Sequence, residues 1–211
     1  LSTVAGQTPI APGRRGSDKV QGDRRVARFV SKQPILGFFS VQSAAYEVAR
    51  RQHGGVTLEI YYSPGHDFNV ERMLDAMEAA LDYYQAHFGP YQFDYARIIE
   101  FPGYASFAQA FAGTIPFSES IGFIADNADA ENIDYVTYVT AHELGHQYWA
   151  HQLISSDQQG STMLVETMAQ YSALMVMKQL YGEDNIRRFL KYELDNYLSA
   201  RGSEAIEELP L

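Results

Sequence analysis

The chain has 211 residues, 46% of them hydrophobic, with 16 basic against 26 acidic side chains and a formal net charge of -10. That length supports a sizeable core in one or two domains, and the acidic balance disfavours the basic face of a nucleic-acid-binding protein. With no cysteine, disulfides and thiolate metal ligands are excluded, and no stretch approaches the roughly eighteen apolar residues of a membrane span.

Residues 1 to 20, rich in Gly, Pro, Ser and Arg, read as irregular. Strands are then expected at Val26–Val30, Ile35–Ser40, Ala45–Ala49 and Val56–Tyr62, with His53-Gly54-Gly55 as a turn, so that residues 1–62 form the end of a β-rich unit. Arg14, Arg15, Lys19, Arg24, Arg25 and Arg28 are spread over loop and strand, which suits a solvated face better than a membrane or partner patch. Ser63 to Asp67 marks a boundary, and residues 63–211 form a second unit. In it Val70, Met73, Leu74, Met77, Leu81, Tyr84 and Phe88 recur at helical spacing as a core-facing stripe, stopped by Gly89-Pro90. Further strands are expected at Tyr95–Phe101 and Ile121–Ala125.

The run from Ile133 to Ala150 has no Pro and one Gly, with Asn132 or Asp134 as a possible N-cap. It contains His142-Glu143-Leu144-Gly145-His146. On a helix the two imidazoles lie one turn apart on one face, where both can hold one zinc ion, and Glu143 points into the same site. Glu143 then has the role of general base toward a water whose pKa the metal lowers to about 7. The alternative is a buried helix whose histidines satisfy backbone carbonyls.

A catalytic zinc usually takes three protein ligands, so a third is required. Thr162 to Leu180 reads as another helix, ended by Gly182, and Glu166 is its one acid. A carboxylate in an apolar helix needs a partner, and the cation supplies one; the alternative is an acid favouring the helix dipole. Asp184 to Ala200 reads as a last helix before Gly202 and an acidic tail of Glu204, Glu207 and Glu208. His53, His66 and His87 suit surface or capping positions, and the spacing of His151 from His146 puts it off the zinc face.

His142-Glu-Leu-Gly-His146-Gln-Tyr-Trp, followed by Met163-Leu-Val-Glu-Thr-Met-Ala-Gln-Tyr171, resembles the gluzincin aminopeptidases of the aminopeptidase N and leukotriene hydrolase type. There a His-Glu-x-x-His helix is completed by a Glu on the next helix; the one extra residue here fits in the Ser155–Gly160 loop. The resemblance implies an α+β, thermolysin-like zinc peptidase domain, one zinc ion on His142, His146 and Glu166, and hydrolysis of peptide substrates with Glu143 as base. Pro116 to Phe123 looks like the family's Gly-x-Met-Glu-Asn segment, which implies that Glu119 binds a substrate amino terminus. Ser118, Ser120 and Pro116 depart from that pattern, and a loop carboxylate in water is the alternative for Glu119.

The wording Ala150 to Ile154 and Ser172 to Met177 also resembles the peptidase-like domains of bacterial ABC-transporter permease proteins. That implies a soluble, extracytoplasmic domain of a membrane protein partnered by an ABC ATPase, and opens a second reading as a zinc-binding module with weak or lost activity. The opening Leu1 fits a piece of a longer protein. No Tyr-x-Lys-Gly-like segment follows Glu166, so the family's oxyanion-binding Tyr is expected beyond a catalytic domain truncated at its C-terminus.

Overall fold

The computed structural model describes residues 1–127 and 132–203; the acidic tail lies outside the described residues. Its strands are β1 (Ser2–Val4), β2 (Thr8–Ile10), β3 (Arg14–Gln21), β4 (Arg24–Val30), β5 (Gln42–Ala44), β6 (Glu47–His53), β7 (Val56–Tyr62), β8 (Tyr95–Phe101) and β9 (Thr114–Ser118). The helices are α1 (Val70–Phe88), α2 (Tyr135–Gly145), α3 (Ser161–Tyr181) and α4 (Glu183–Ser203). The fold is α+β, with a β-rich N-terminal part, as expected.

A three-stranded sheet has the order β1-β4-β3, a ribbon pairs β2 with β5, and a four-stranded sheet has the order β6-β7-β8-β9. In the last, β6 and β7 are antiparallel while β7, β8 and β9 run parallel. The connection from β7 to β8 passes through α1. All residues of β8 and β9 are buried, as parallel strands covered on both faces must be. The sheet therefore crosses residue 62, with β6 and β7 supplying two of its strands.

The stripe expected on α1 is the core: Val70, Met73, Leu74, Met77, Leu81 and Tyr84 are buried against the sheet and α2. Tyr84 sends its hydroxyl to the Ala141 carbonyl on α2 at 2.8 Å. Arg97 on β8 fixes the N-terminal strands to the sheet. It pairs with Glu59 at 2.6 Å, donates to the Gly13 carbonyl at 2.8 Å and lies over the Tyr95 ring.

Three expectations fail. Residues 1 to 20 are not irregular but supply β1, β2 and β3: β1 and β2 pair with residues 24–26 and 42–44, twenty or more residues away, while β3 forms a hairpin with β4 across Gly22-Asp23 although its polar sequence has no strand alternation. Ile35–Ser40 forms no strand. Ile121–Ala125 forms turns, and the strand lies earlier, at Thr114–Ser118, despite Pro116. As a sheet-edge strand, β9 can lose one ladder donor, which is where Pro is tolerated.

Candidate metal centre

Helix α2 starts where Asp134 accepts hydrogen bonds from the Thr137 amide at 3.1 Å and hydroxyl at 2.8 Å. The same carboxylate meets Arg72 of α1 and the Tyr181 hydroxyl of α3, each at 2.6 Å, so one N-cap pins three helices. Helices α2 and α3 lie close together at Gly145, where an added Cβ would stand 3.3 Å from the Ala169 Cα. Glu166 lies three residues before Ala169 and faces the two histidines.

The convergence is tight. His142 Nε2 and His146 Nε2 are 3.0 Å apart, and Glu166 Oε2 lies 3.4 Å from the first and 3.3 Å from the second. Three ligands at zinc–nitrogen and zinc–oxygen distances near 2.0–2.1 Å, in tetrahedral directions, stand about 3.3 Å apart. The donor set therefore fits zinc in chemistry and in spacing. His146 donates from Nδ1 to the Trp149 carbonyl at 3.1 Å, which leaves its Nε2 lone pair toward the centre. The hydrogen bonds of His142 and His146 hold the Glu166 carboxyl well below the usual carboxylate range.

Glu143 is 6% exposed. Burial pushes its carboxyl above the ordinary value, against the pull of His142 and His146. Its Oε2 is buried without a partner among the described residues. A cavity of about 310 Å³ opens beside His142 and Glu143. Ser106, Phe107 and Ala108 form one wall, Tyr135 and Tyr138 of α2 another, and Tyr192, Glu193 and Asn196 of α4 a third. Tyr138 donates to Glu193 at 2.9 Å.

His142, His146, Glu166 and Glu143 are thus brought together, and Glu119 is placed apart from them. Its carboxylate accepts the Gly103 amide at 2.8 Å and does not line this cavity. With His66 and Glu100 it forms a second His–carboxylate group, in which His66 Nδ1 is 2.5 Å from Glu100 and 3.8 Å from Glu119. Glu100 also accepts the Ser63 amide, so its oxygens are satisfied by contacts that tie the start of α1 to the ends of β8 and β9. His66 is thereby a partner of a buried acid rather than a surface residue; His87 caps α1 through the Tyr83 carbonyl.

Sequence reasoning missed the Ser106–Ala110 segment and the α4 wall. Tyr135 and Tyr138 carried a signal, since they precede His142 by seven and four residues on one helix face.

A family model described as the Peptidase family M1 domain matches residues 71–209, about two thirds of the chain. "Probable aminopeptidase 2" of Sulfurisphaera tokodaii is 25% identical over 166 residues, covering 77% of this chain and 21% of that protein. "Endoplasmic reticulum aminopeptidase 2" of Bos taurus is 28% identical over 161 residues, 75% of this chain and 16% of the relative. The protein of that name from Homo sapiens is 31% identical over 131 residues, 61% of this chain and 14% of its own length. The chain therefore spans about a fifth or less of the length of these relatives.

Proposed function

The chain belongs to peptidase family M1, and from that premise we propose that it is the zinc-binding, bond-cleaving part of an aminopeptidase-like metallopeptidase. The observation that carries this reading is the meeting of His142 Nε2, His146 Nε2 and Glu166 Oε2 within 3.4 Å of one another, with the unpartnered Oε2 of Glu143 beside them. His142, His146 and Glu166 would hold one zinc ion, which supplies Lewis-acid polarisation and a water of lowered pKa.

Glu143 performs the proton transfers. Its free Oε2 accepts a proton from water and returns it to the leaving amine. Burial raises its pKa toward the working pH, as suits a general base. The peptide would lie along Ser106–Ala108, with the tyrosines of α2 and α4 excluding water. For a substrate amine, Glu193 on the cavity wall is better placed than Glu119. In domain terms, residues 1–62 would close a β-rich unit and 63–211 would be the catalytic unit, joined by the shared sheet.

The permease-module reading rests on the wording around His151 and Ser172; the family match and the relatives named above do not support it. No helix among the described residues is long and apolar enough to cross a membrane. The test is hydrolysis of aminoacyl and internally quenched peptides by the zinc-loaded chain and by Glu143→Gln. The variant should keep its zinc and lose at least about a hundredfold in rate. Equal rates would overturn the proposal.

A further inference from the structure

Trp149 meets the metal centre with one end and α3 with the other. Its carbonyl accepts the His146 Nδ1–H at 3.1 Å, while its indole Nε1–H donates to the Ser172 hydroxyl at 2.9 Å. The first contact is not one a helix can make. In an α-helix each carbonyl points toward the C-terminus, to the amide four residues on, so a helical Trp149 would turn its carbonyl away from His146. The helix instead ends at Gly145. Beyond it Ala150 has φ 135°, the one positive value for a non-glycine among the described residues. Such a backbone is strained for a residue with a Cβ and persists where its surroundings over-determine it. Here the Ala150 amide donates to the Leu153 carbonyl at 3.1 Å and the Leu153 amide to the Tyr148 carbonyl at 2.8 Å. This closed turn brings the Trp149 carbonyl back to the His146 ring.

The second contact reaches the helix that bears Glu166. Ser172 is fully buried, the polar member of an α3 face otherwise made of Ala169, Ala173, Val176 and Met177. Its own proton goes to the Met168 carbonyl at 2.7 Å, one turn back, and its lone pairs remain to accept the indole. Trp149 is also seated against Phe88 at the end of α1, with ring centroids 5.0 Å apart. Residues 146–160 separate α2 from α3 along the chain, and the Trp149–Ser172 bond joins the exit of α2 to α3 directly.

We propose that Trp149 and Ser172 are positioning residues for the metal centre: the Trp149 carbonyl sets the orientation of the His146 ring, and the indole–Ser172 bond locks that carbonyl to the helix carrying Glu166. The second and third ligands are thereby held in one frame before an ion arrives. This deepens the peptidase reading and rests on its zinc site. Loss of the bond should weaken zinc binding without unfolding the chain.

Trp149 is the only Trp in the chain, so a single indole N–H resonance reports its bond. Ser172→Ala removes the acceptor with little change in volume. Chelator competition should then give a zinc Kd at least about tenfold weaker, the lower end of the effect of losing a partner behind a metal-bound His. The indole N–H of the metal-free protein should exchange with solvent at least about tenfold faster. Val176→Ala, on the same buried face of α3, controls for a merely structural loss. It opens a cavity, so it should lower the melting temperature at least as far while leaving the zinc Kd within about twofold. If Ser172→Ala does not fold, Trp149→Phe, which keeps a ring and removes the N–H, takes its place and should show the same loss of affinity. An unchanged Kd in the variant that lacks the bond, or an equal loss in Val176→Ala, overturns this inference alone. A parent chain that binds zinc but cleaves no peptide overturns the peptidase reading alone, and one that binds no zinc overturns both.

Discussion

Replacing Glu166 with Ala tests the metal centre most directly, because the structure separates its effect on the ion from its effect on the fold. The Glu166 side chain is 53% exposed. Its removal leaves no cavity, and the loss of a half-exposed ion pair with two histidines should cost the metal-free protein no more than about 1 kcal/mol. The effect on zinc should be far larger. Apparent binding energies of about 10–16 kcal/mol for four-ligand zinc sites correspond to about 3 kcal/mol per ligand, or roughly a hundredfold in Kd. At a free zinc concentration of about a hundred times the parent's Kd, linkage raises parent stability by about 2.7 kcal/mol. For a chain of this size that is a melting shift of about 5–11 °C. The variant at the same concentration sits near its own Kd and gains about 0.4 kcal/mol, a shift below about 2 °C. Thermal unfolding with and without zinc, together with chelator competition, reads both quantities. A variant that keeps the full zinc-dependent shift would remove Glu166 from the ligand set.

Glu193→Gln should raise KM for substrates with a free amino terminus by about tenfold or more while leaving blocked peptides unaffected, and Glu119→Gln should not; the reverse pattern would return the amine contact to Glu119. The buried pair on β7 and β8 gives a pH prediction. Burial pushes the Glu59 carboxyl up, but Arg97, with Arg50 and the Tyr61 hydroxyl, holds it below its ordinary value. A carboxyl depressed in the folded state contributes stability that is complete above its unfolded pKa of about 4.3 and is lost as pH falls through the lower folded value. The melting temperature should therefore drop as pH falls below about 4. Glu59→Gln, which leaves Arg97 buried and unpaired at a cost of about 3–5 kcal/mol, should be less stable at pH 7 and show a smaller acid-induced drop. Parallel pH curves for the two proteins would refute the assignment.

What could be read from the sequence followed the range of the constraint that fixes each part. The stripe on α1 repeats within a few turns, and the two histidines are placed by helix geometry alone, so both were legible. Glu166 was legible for a chemical reason: one acid in an apolar helix after two suitably spaced imidazoles. β1 was not, because its pairing with β4 is a tertiary event, and β3 was not, because the polar, Gly-containing Arg14–Gln21 has no strand periodicity of its own although it forms a hairpin with β4.

The structure sets Glu119 apart from the cavity beside Glu143, which bears on how the site works. That cavity is bordered instead by Ser106, Phe107 and Ala108. Gln147 and His151, which follow the zinc helix, reach back to the Phe111 and Ala110 carbonyls. Gly145 belongs with them. Within the motif it reads as a free position, yet it packs against Ala169 of α3, three residues after Glu166, where an added Cβ would crowd the two helices. The segment Gly145 to His151 therefore reaches in two directions at once: to Ala169 of α3, one turn from the third ligand, and to the carbonyls of Ala110 and Phe111. A motif written as two histidines and a glutamate names the groups that react, while the residues after it determine whether those groups are in register.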